Sequence, residues 1–187
     1  MTLSALGIFS AAGAGGAAGG AAYELITSTI LSSSQPSVTF SSLGTYSSTY
    51  KHFQIRLTAK DNRAVNSSRF YIRVNAATSN YLTHSLYGDG STAGSGAGYT
   101  DRIVIQGSTG NTATNIYGTA VIDLFDAFAT KNKTFRSFSG LLVSGYTVLE
   151  VISGTWFDTA TLSSITIGGD FGDLLAGSRF SLYGIKG

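Results

Sequence analysis

The chain has no cysteine, a single proline (Pro36), two histidines and two glutamates in 187 residues, and only 12% of its residues are charged. Without cysteine there is no disulfide framework, no thiolate metal site and no thiol nucleophile. His52 and His84 have no His, Asp or Glu at metal-ligand spacing, so no metal site is expected on them. The serines stand in Ser-Ser and Gly-Ser turn contexts rather than on a nucleophile elbow, and no Ser-His-Asp set emerges. Glu24 and Glu150 both fall in apolar, strand-like sequence while the aspartates cluster near turns, which leaves no paired carboxylates for glycoside cleavage. The expectation is a non-enzymatic protein without a cofactor. Twelve Lys and Arg against ten Asp and Glu give a net charge of +2, too small a surplus for a phosphate-binding face, so nucleic acid is not an expected partner.

What the chain does have is divided unevenly. Met1 to Ala22 carry no charge and are largely glycine and alanine, followed by 165 residues that read as strand after strand. Glycine-rich backbone is entropically costly to order and has few side chains to pack, so a monomer gains little from such an arm. A secretory signal would need a basic leading segment, and the first Lys or Arg is Lys51. A membrane or fusion segment fits the length and the small-xxx-small spacing of Gly15, Gly16, Gly19 and Gly20, but six glycines in 22 residues weaken both helix and hydrophobicity. The favoured reading is a docking or oligomerisation arm over 1–22. In it Leu3, Leu6, Ile8 and Phe9 form a compact apolar plug, and the Gly/Ala tract permits close approach to a neighbour.

From Tyr23 onward the hydrophobic period is two. Phe53, Ile55, Leu57 and Ala59 alternate with Gln54, Arg56, Thr58 and Lys60, and Phe70, Ile72 and Val74 alternate with Tyr71, Arg73 and Asn75, as half-buried strands require. Further strands are expected over 23–31, 37–43, 80–87, 102–106, 116–124, 134–144, 147–157, 162–168 and 178–186. Turn-rich pieces at 61–67, 88–98 and 107–114 separate them, and 123–130 is read as a helical turn. No internal repeat or second composition shift is evident. One all-β domain over 23–187 is therefore expected, an antiparallel sandwich of two packed sheets with a jelly roll as the simplest architecture. A core of that size needs no staple, since such a domain buries roughly 70% of its extended-chain surface.

Two glycine-rich stretches invite comparison with known loops. Gly88 to Gly98 has no Gly-Lys-Ser/Thr and too few acidic ligands for a phosphate or calcium loop, and reads as a long surface loop. Gly168 to Asp173 brings Asp170 and Asp173 together and could hold a cation such as calcium with backbone carbonyls, but the favoured reading is an ordinary strand connection. Tyr81, Tyr87 and Tyr99, with Asp89, flank or lie in the 88–98 loop; they either cover the end of the sandwich, the favoured reading, or form a recognition surface for sugars or a partner's pocket. Trp156 reads as core.

Blocks along the chain carry a resemblance. Tyr23-Glu24-Leu25-Ile26, Ser37-Val38-Thr39-Phe40, Tyr50-Lys51-His52-Phe53, Ala120-Val121-Ile122-Asp123, Lys131-Asn132-Lys133-Thr134-Phe135, Gly154-Thr155-Trp156 and the closing Ala176-Gly177-Ser178-Arg179-Phe180-Ser181-Leu182-Tyr183 resemble a widespread group of small tailed-phage structural proteins. The Leu6-Gly7-Ile8-Phe9 arm fits as well. The resemblance implies a virion location, a homotrimer and no catalytic residues. It implies one of two roles. In the first, a capsid cement or decoration protein binds the major capsid protein, with the arm stapling neighbours by repeated weak contacts. In the second, a tail-fibre or tail-tip protein contacts tail proteins and a host glycan through the region 81–99. The absence of a fibrous shaft, repeat or heptad region favours cement, and no membrane partner is implied.

Overall fold

The period-two stretches fold as antiparallel strands. The structure, a computed structural model, describes residues 22–187, and the proposed plug residues Leu3, Leu6, Ile8 and Phe9 lie outside them. The strands are β1 (Tyr23–Ile30), β2 (Ser37–Phe40), β3 (His52–Ala59), β4 (Ser67–Val74), β5 (Tyr81–Gly88), β6 (Ala93–Gly98), β7 (Ile103–Thr109), β8 (Gly118–Phe125), β9 (Lys133–Val143), β10 (Tyr146–Trp156), β11 (Ile165–Gly169) and β12 (Arg179–Ile185). An eight-stranded sheet runs β1-β12-β3-β8-β9-β10-β5-β6, and a four-stranded sheet runs β2-β11-β4-β7. The two pack as a sandwich around one large core.

Alternation decides which side chains fill that core. In β3, Phe53, Ile55, Leu57 and Ala59 are buried; in β4, Phe70, Ile72 and Val74; in β8, Ala120, Ile122 and Leu124. Ile103 and Ile105 of β7, Ile165 and Ile167 of β11, and Phe180 and Leu182 of β12 join them in the same cluster. Each large apolar side chain so buried is worth about 1.5–3 kcal/mol in transfer free energy. Slipping any of these strands by one residue would exchange the buried row for the exposed one, so the register is strongly specified.

Two sequence expectations are corrected. The stretch 88–98 is not a long loop: Asp89 to Thr92 make a tight turn and Ala93–Gly98 pair with β5 as the edge strand β6, with Leu86 opposite Ser95 and His84 opposite Ala97. Backbone hydrogen bonding to β5 overrides the weak strand propensity of Ala-Gly-Ser-Gly-Ala-Gly. Nor is 123–130 a helical turn. Asp123, Leu124 and Phe125 stay in β8 because they pair with β9, and a turn follows in which Asp126, at φ 48°, donates its N–H to His52 Nδ1 at 2.8 Å. The helical turn described is a 3-10 turn at Leu43–Tyr46, which places Leu43 in the core. The buried Lys133 fastens the same connection by donating to the carbonyls of Ala129 (2.8 Å) and Lys131 (2.6 Å).

The sheet edges differ in how they are closed. β1 carries a bulge between Leu25 and Thr27, and β2 has only four residues and follows Pro36. The free edge of β7 meets a side chain, because Gln106 N donates to Glu150 Oε2 at 2.8 Å. β6 has no charge, proline or bulge, the devices that usually protect an edge.

Candidate functional site

Where β5, β6 and β10 lie beside β7, they leave a cavity of about 390 Å³. It exists because β6 contributes Gly96, Ala97 and Gly98 to its wall rather than large side chains. Tyr87, Asp89 and Tyr99 line it, so the structure brings together three of the four residues singled out around the 88–98 stretch. Tyr81 is the exception. It is buried against Trp156, with ring centroids 6.3 Å apart, and its hydroxyl accepts the Val74 N–H at 2.8 Å. That places Tyr81 in the core, where it ties the end of β4 to the start of β5. Trp156 is core as well.

Asp89 is held as a structural acceptor. Its Oδ1 accepts from Ser91 N (2.9 Å), Ser91 Oγ (2.9 Å) and Thr92 N (2.7 Å), and its Oδ2 accepts from Thr92 Oγ1 (2.9 Å). The backbone N–H of Thr92, then the donors of Ser91, hold its carboxyl well below the usual range; such a carboxylate is a weak base. Tyr87 lays its ring over Gly94 of the neighbouring strand, so close that a Cβ there would sit 2.6 Å from the Tyr87 hydroxyl. Tyr99 holds φ 62°, a left-handed conformation that non-glycine residues disfavour. Arg69 fixes its ring, with the guanidinium donating to the Tyr99 hydroxyl and lying 5.6 Å from the ring centroid.

Sequence reading missed Glu150, Tyr146, Gln106 and Arg69 as members of this cavity. Glu150 gave a signal, an acidic residue inside an apolar strand. Its side chain faces inward from β10 and is buried, and burial pushes its carboxyl up, partly offset by the Gln106 N–H. The cavity thus offers tyrosine rings, a buried carboxyl and backbone groups, a surface suited to a small hydroxyl-rich molecule.

The stretch Gly168 to Asp173 is not a cation loop. The Asp170 side chain, fully buried, lies between two guanidinium groups, with Arg69 Nη2 and Arg102 Nε each 3.0 Å from its carboxylate oxygens. Arg102 and Arg73 converge in turn on Asp101 at 2.6 and 3.0 Å. Phe171 covers two guanidinium groups, those of Arg63 and Arg69, at 4.6 and 4.8 Å. Two arginines on one carboxylate leave no vacancy for a positive ion. No group of three or more metal-ligating side chains occurs among the described residues.

The outer face of the large sheet is of another kind. Leu86, Phe138, Leu142, Leu149 and Val151 are all about half exposed or more, Leu142 at 74%. Leu86 stands opposite Val151 and Val151 opposite Phe138 across β5, β10 and β9, so these rings and branches form one continuous patch. Beside them a groove of about 600 Å³ opens over Gly140 and Thr119.

Comparison with known proteins adds little to these findings. No family model and no curated protein matches the chain. A solved structure of an exo-inulinase from Aspergillus awamori aligns with a TM-score of 0.41 and 17% sequence identity, covering 86% of this chain. The chain spans 29% of that protein's length, and similarity at this level carries no inference about activity.

Proposed function

We propose that the chain is a non-enzymatic structural component of a bacteriophage virion, a capsid cement or decoration protein. In this reading its β-domain assembles as a homotrimer on the particle exterior, and its N-terminal arm docks on neighbouring subunits and on the major capsid protein. The observation that carries the reading is the apolar patch of Leu86, Phe138, Leu142, Leu149 and Val151. Monomeric soluble proteins rarely leave such a contiguous surface open. The strand order supports a jelly roll in which β1-β12-β3-β8 form one four-stranded sheet and β2-β11-β4-β7 the other, with β9, β10, β5 and β6 added beside β8. The resemblance of the sequence blocks to small tailed-phage structural proteins supplies the virion.

A second reading rests on the tyrosine-lined cavity. A tail-fibre or tail-tip protein would use Tyr87, Tyr99 and Tyr146 to hold a host surface glycan. The copy number of the chain per purified particle, by quantitative mass spectrometry against the major capsid protein, separates the two. A ratio within a few-fold of the capsid protein is expected for a decoration role. A ratio far below it would move the chain to the tail, and absence from particles would end the virion reading.

A further inference from the structure

We infer that the groove on the outer face of the large sheet receives residues 3–9 of a second copy of this chain, in a head-to-tail contact. The inference rests on the assembly reading above and names the surface that the arm would use. The groove is made by what is missing. Gly140 of β9 has no side chain, and a Cβ there would come within 2.9 Å of the Val148 carbonyl oxygen and 3.3 Å of Leu149 Cδ1. Phe138, Leu142 and Leu149 stand around the gap, and Thr119 of β8 lies opposite Gly140. This is an apolar recess in a sheet face that would otherwise be flat, and Leu3, Leu6, Ile8 and Phe9 are the apolar side chains in the chain outside the described residues, apart from Met1 and alanines.

Direction selects the neighbour's arm over the chain's own. The described chain enters the sheet at Ala22, whose carbonyl accepts the Lys186 N–H at 2.9 Å, and continues as β1. The register line through Gly140 reaches β1 at the far end, through Thr119, Thr58, Arg179 and Ile30. Arm entry and groove are therefore at opposite ends of the sheet, about 23 Å apart along the strands and about 19 Å across four strand spacings. The intervening residues 10–21 can span about 40 Å when extended, so length admits either copy. An arm reaching its own groove must reverse and recross its own sheet. A neighbour placed head to tail offers its groove without that reversal, and such heterologous contacts close into rings when the rotation allows.

The chain's lack of cysteine makes the test direct. Full-length Leu6→Cys and Leu142→Cys variants are mixed and mildly oxidised, and the expected product is a disulfide joining two different chains. Full-length Leu6→Cys/Leu142→Cys should give linked oligomers. Closure within single chains would assign the groove to the chain's own arm, and Leu142-to-Leu142 linkage alone would mean face-to-face packing of two sheets; either overturns the inference. In parallel, Leu142→Glu in the full chain should weaken self-association, measured by light scattering, by about tenfold or more. Leu142 is so exposed that this change leaves folding intact. Replacing Leu3, Leu6, Ile8 and Phe9 together by serine separates the two readings. If those serines break assembly while Leu142→Glu does not, the arm reading stands and the groove assignment falls. If neither change alters the oligomer, or the chain is monomeric throughout, both fall.

Discussion

The two outer faces of this sandwich handle exposure in opposite ways. On the four-stranded sheet, Arg69, Arg73 and Arg102 are bound to Asp170 and Asp101 and to the rings of Tyr71, Tyr99 and Phe171. Its charged groups lie against opposite charges or aromatic rings. On the eight-stranded sheet, Leu86, Phe138, Leu142, Leu149 and Val151 face outward without cover from the described residues. One face pairs its charges among the described residues, and the other leaves large apolar side chains exposed there. The contrast marks the eight-stranded face as the one the proposed assembly would use, which composition does not do, because both faces are drawn from the same strand-forming vocabulary.

Breaking the first face should have the larger effect on the single domain. Asp170→Asn removes the carboxylate that both Arg69 and Arg102 approach at 3.0 Å, leaving two guanidinium groups against a neutral amide. Loss of a buried charge partner costs about 3 kcal/mol, to be read as a lower urea midpoint with unchanged slope. A midpoint shift under a third of that would mean solvent already screens the cluster.

Between the faces, the carboxyl of Glu150 gives stability a pH dependence with a definite sign. Burial raises its native pKa above the unfolded value, so the native state holds the proton more tightly. The contribution is complete below the unfolded carboxyl pKa and is lost as pH rises through the raised native value. Asp61, whose carboxyl burial also raises, acts in the same direction. Glu24, lowered by the hydrogen bonds from Lys186 and Tyr50, opposes them, its contribution being lost as the solution is acidified. Glu150→Gln should flatten the decline on the alkaline side of the unfolded carboxyl pKa, seen in thermal unfolding midpoints collected across pH. An unchanged profile would assign the decline to Asp61.

The smallest effect on the domain is expected at the uncovered face. Leu142→Glu and Leu149→Ser should change the stability of the unassembled chain by no more than about 0.5 kcal/mol, in chemical unfolding at dilution. A loss above 1 kcal/mol would show that these side chains already pack within the chain, and the contrast between the faces would narrow.

Much of this molecule was legible in one dimension. Period-two alternation located the strands because burial on one face of a sheet forces it, and Phe53, Ile55 and Leu57 or Phe70, Ile72 and Val74 leave no other reading. β6 was not legible, since Ala-Gly-Ser-Gly-Ala-Gly has no hydrophobic pattern and is a strand only through its hydrogen bonds to β5. Tyr81 and Tyr87 looked equivalent in sequence, yet six residues apart on one strand they end in the core and at the cavity. In sequence the pair Asp170 and Asp173 admits a cation, because Arg69 of β4 and Arg102, just before β7, meet Asp170 only in the folded chain.

By itself, then, the sequence determined the fold class, the rows of the core and the division between an uncharged arm and a β-domain, because these depend on local period and composition. Tertiary structure alone decided which outward rows are covered, where a missing side chain opens a groove, and which charges meet. Those properties depend on residues far apart in the chain, such as Arg69 with Asp170 or Leu86 with Val151 and Phe138, and only strand pairing and sheet packing place such residues side by side.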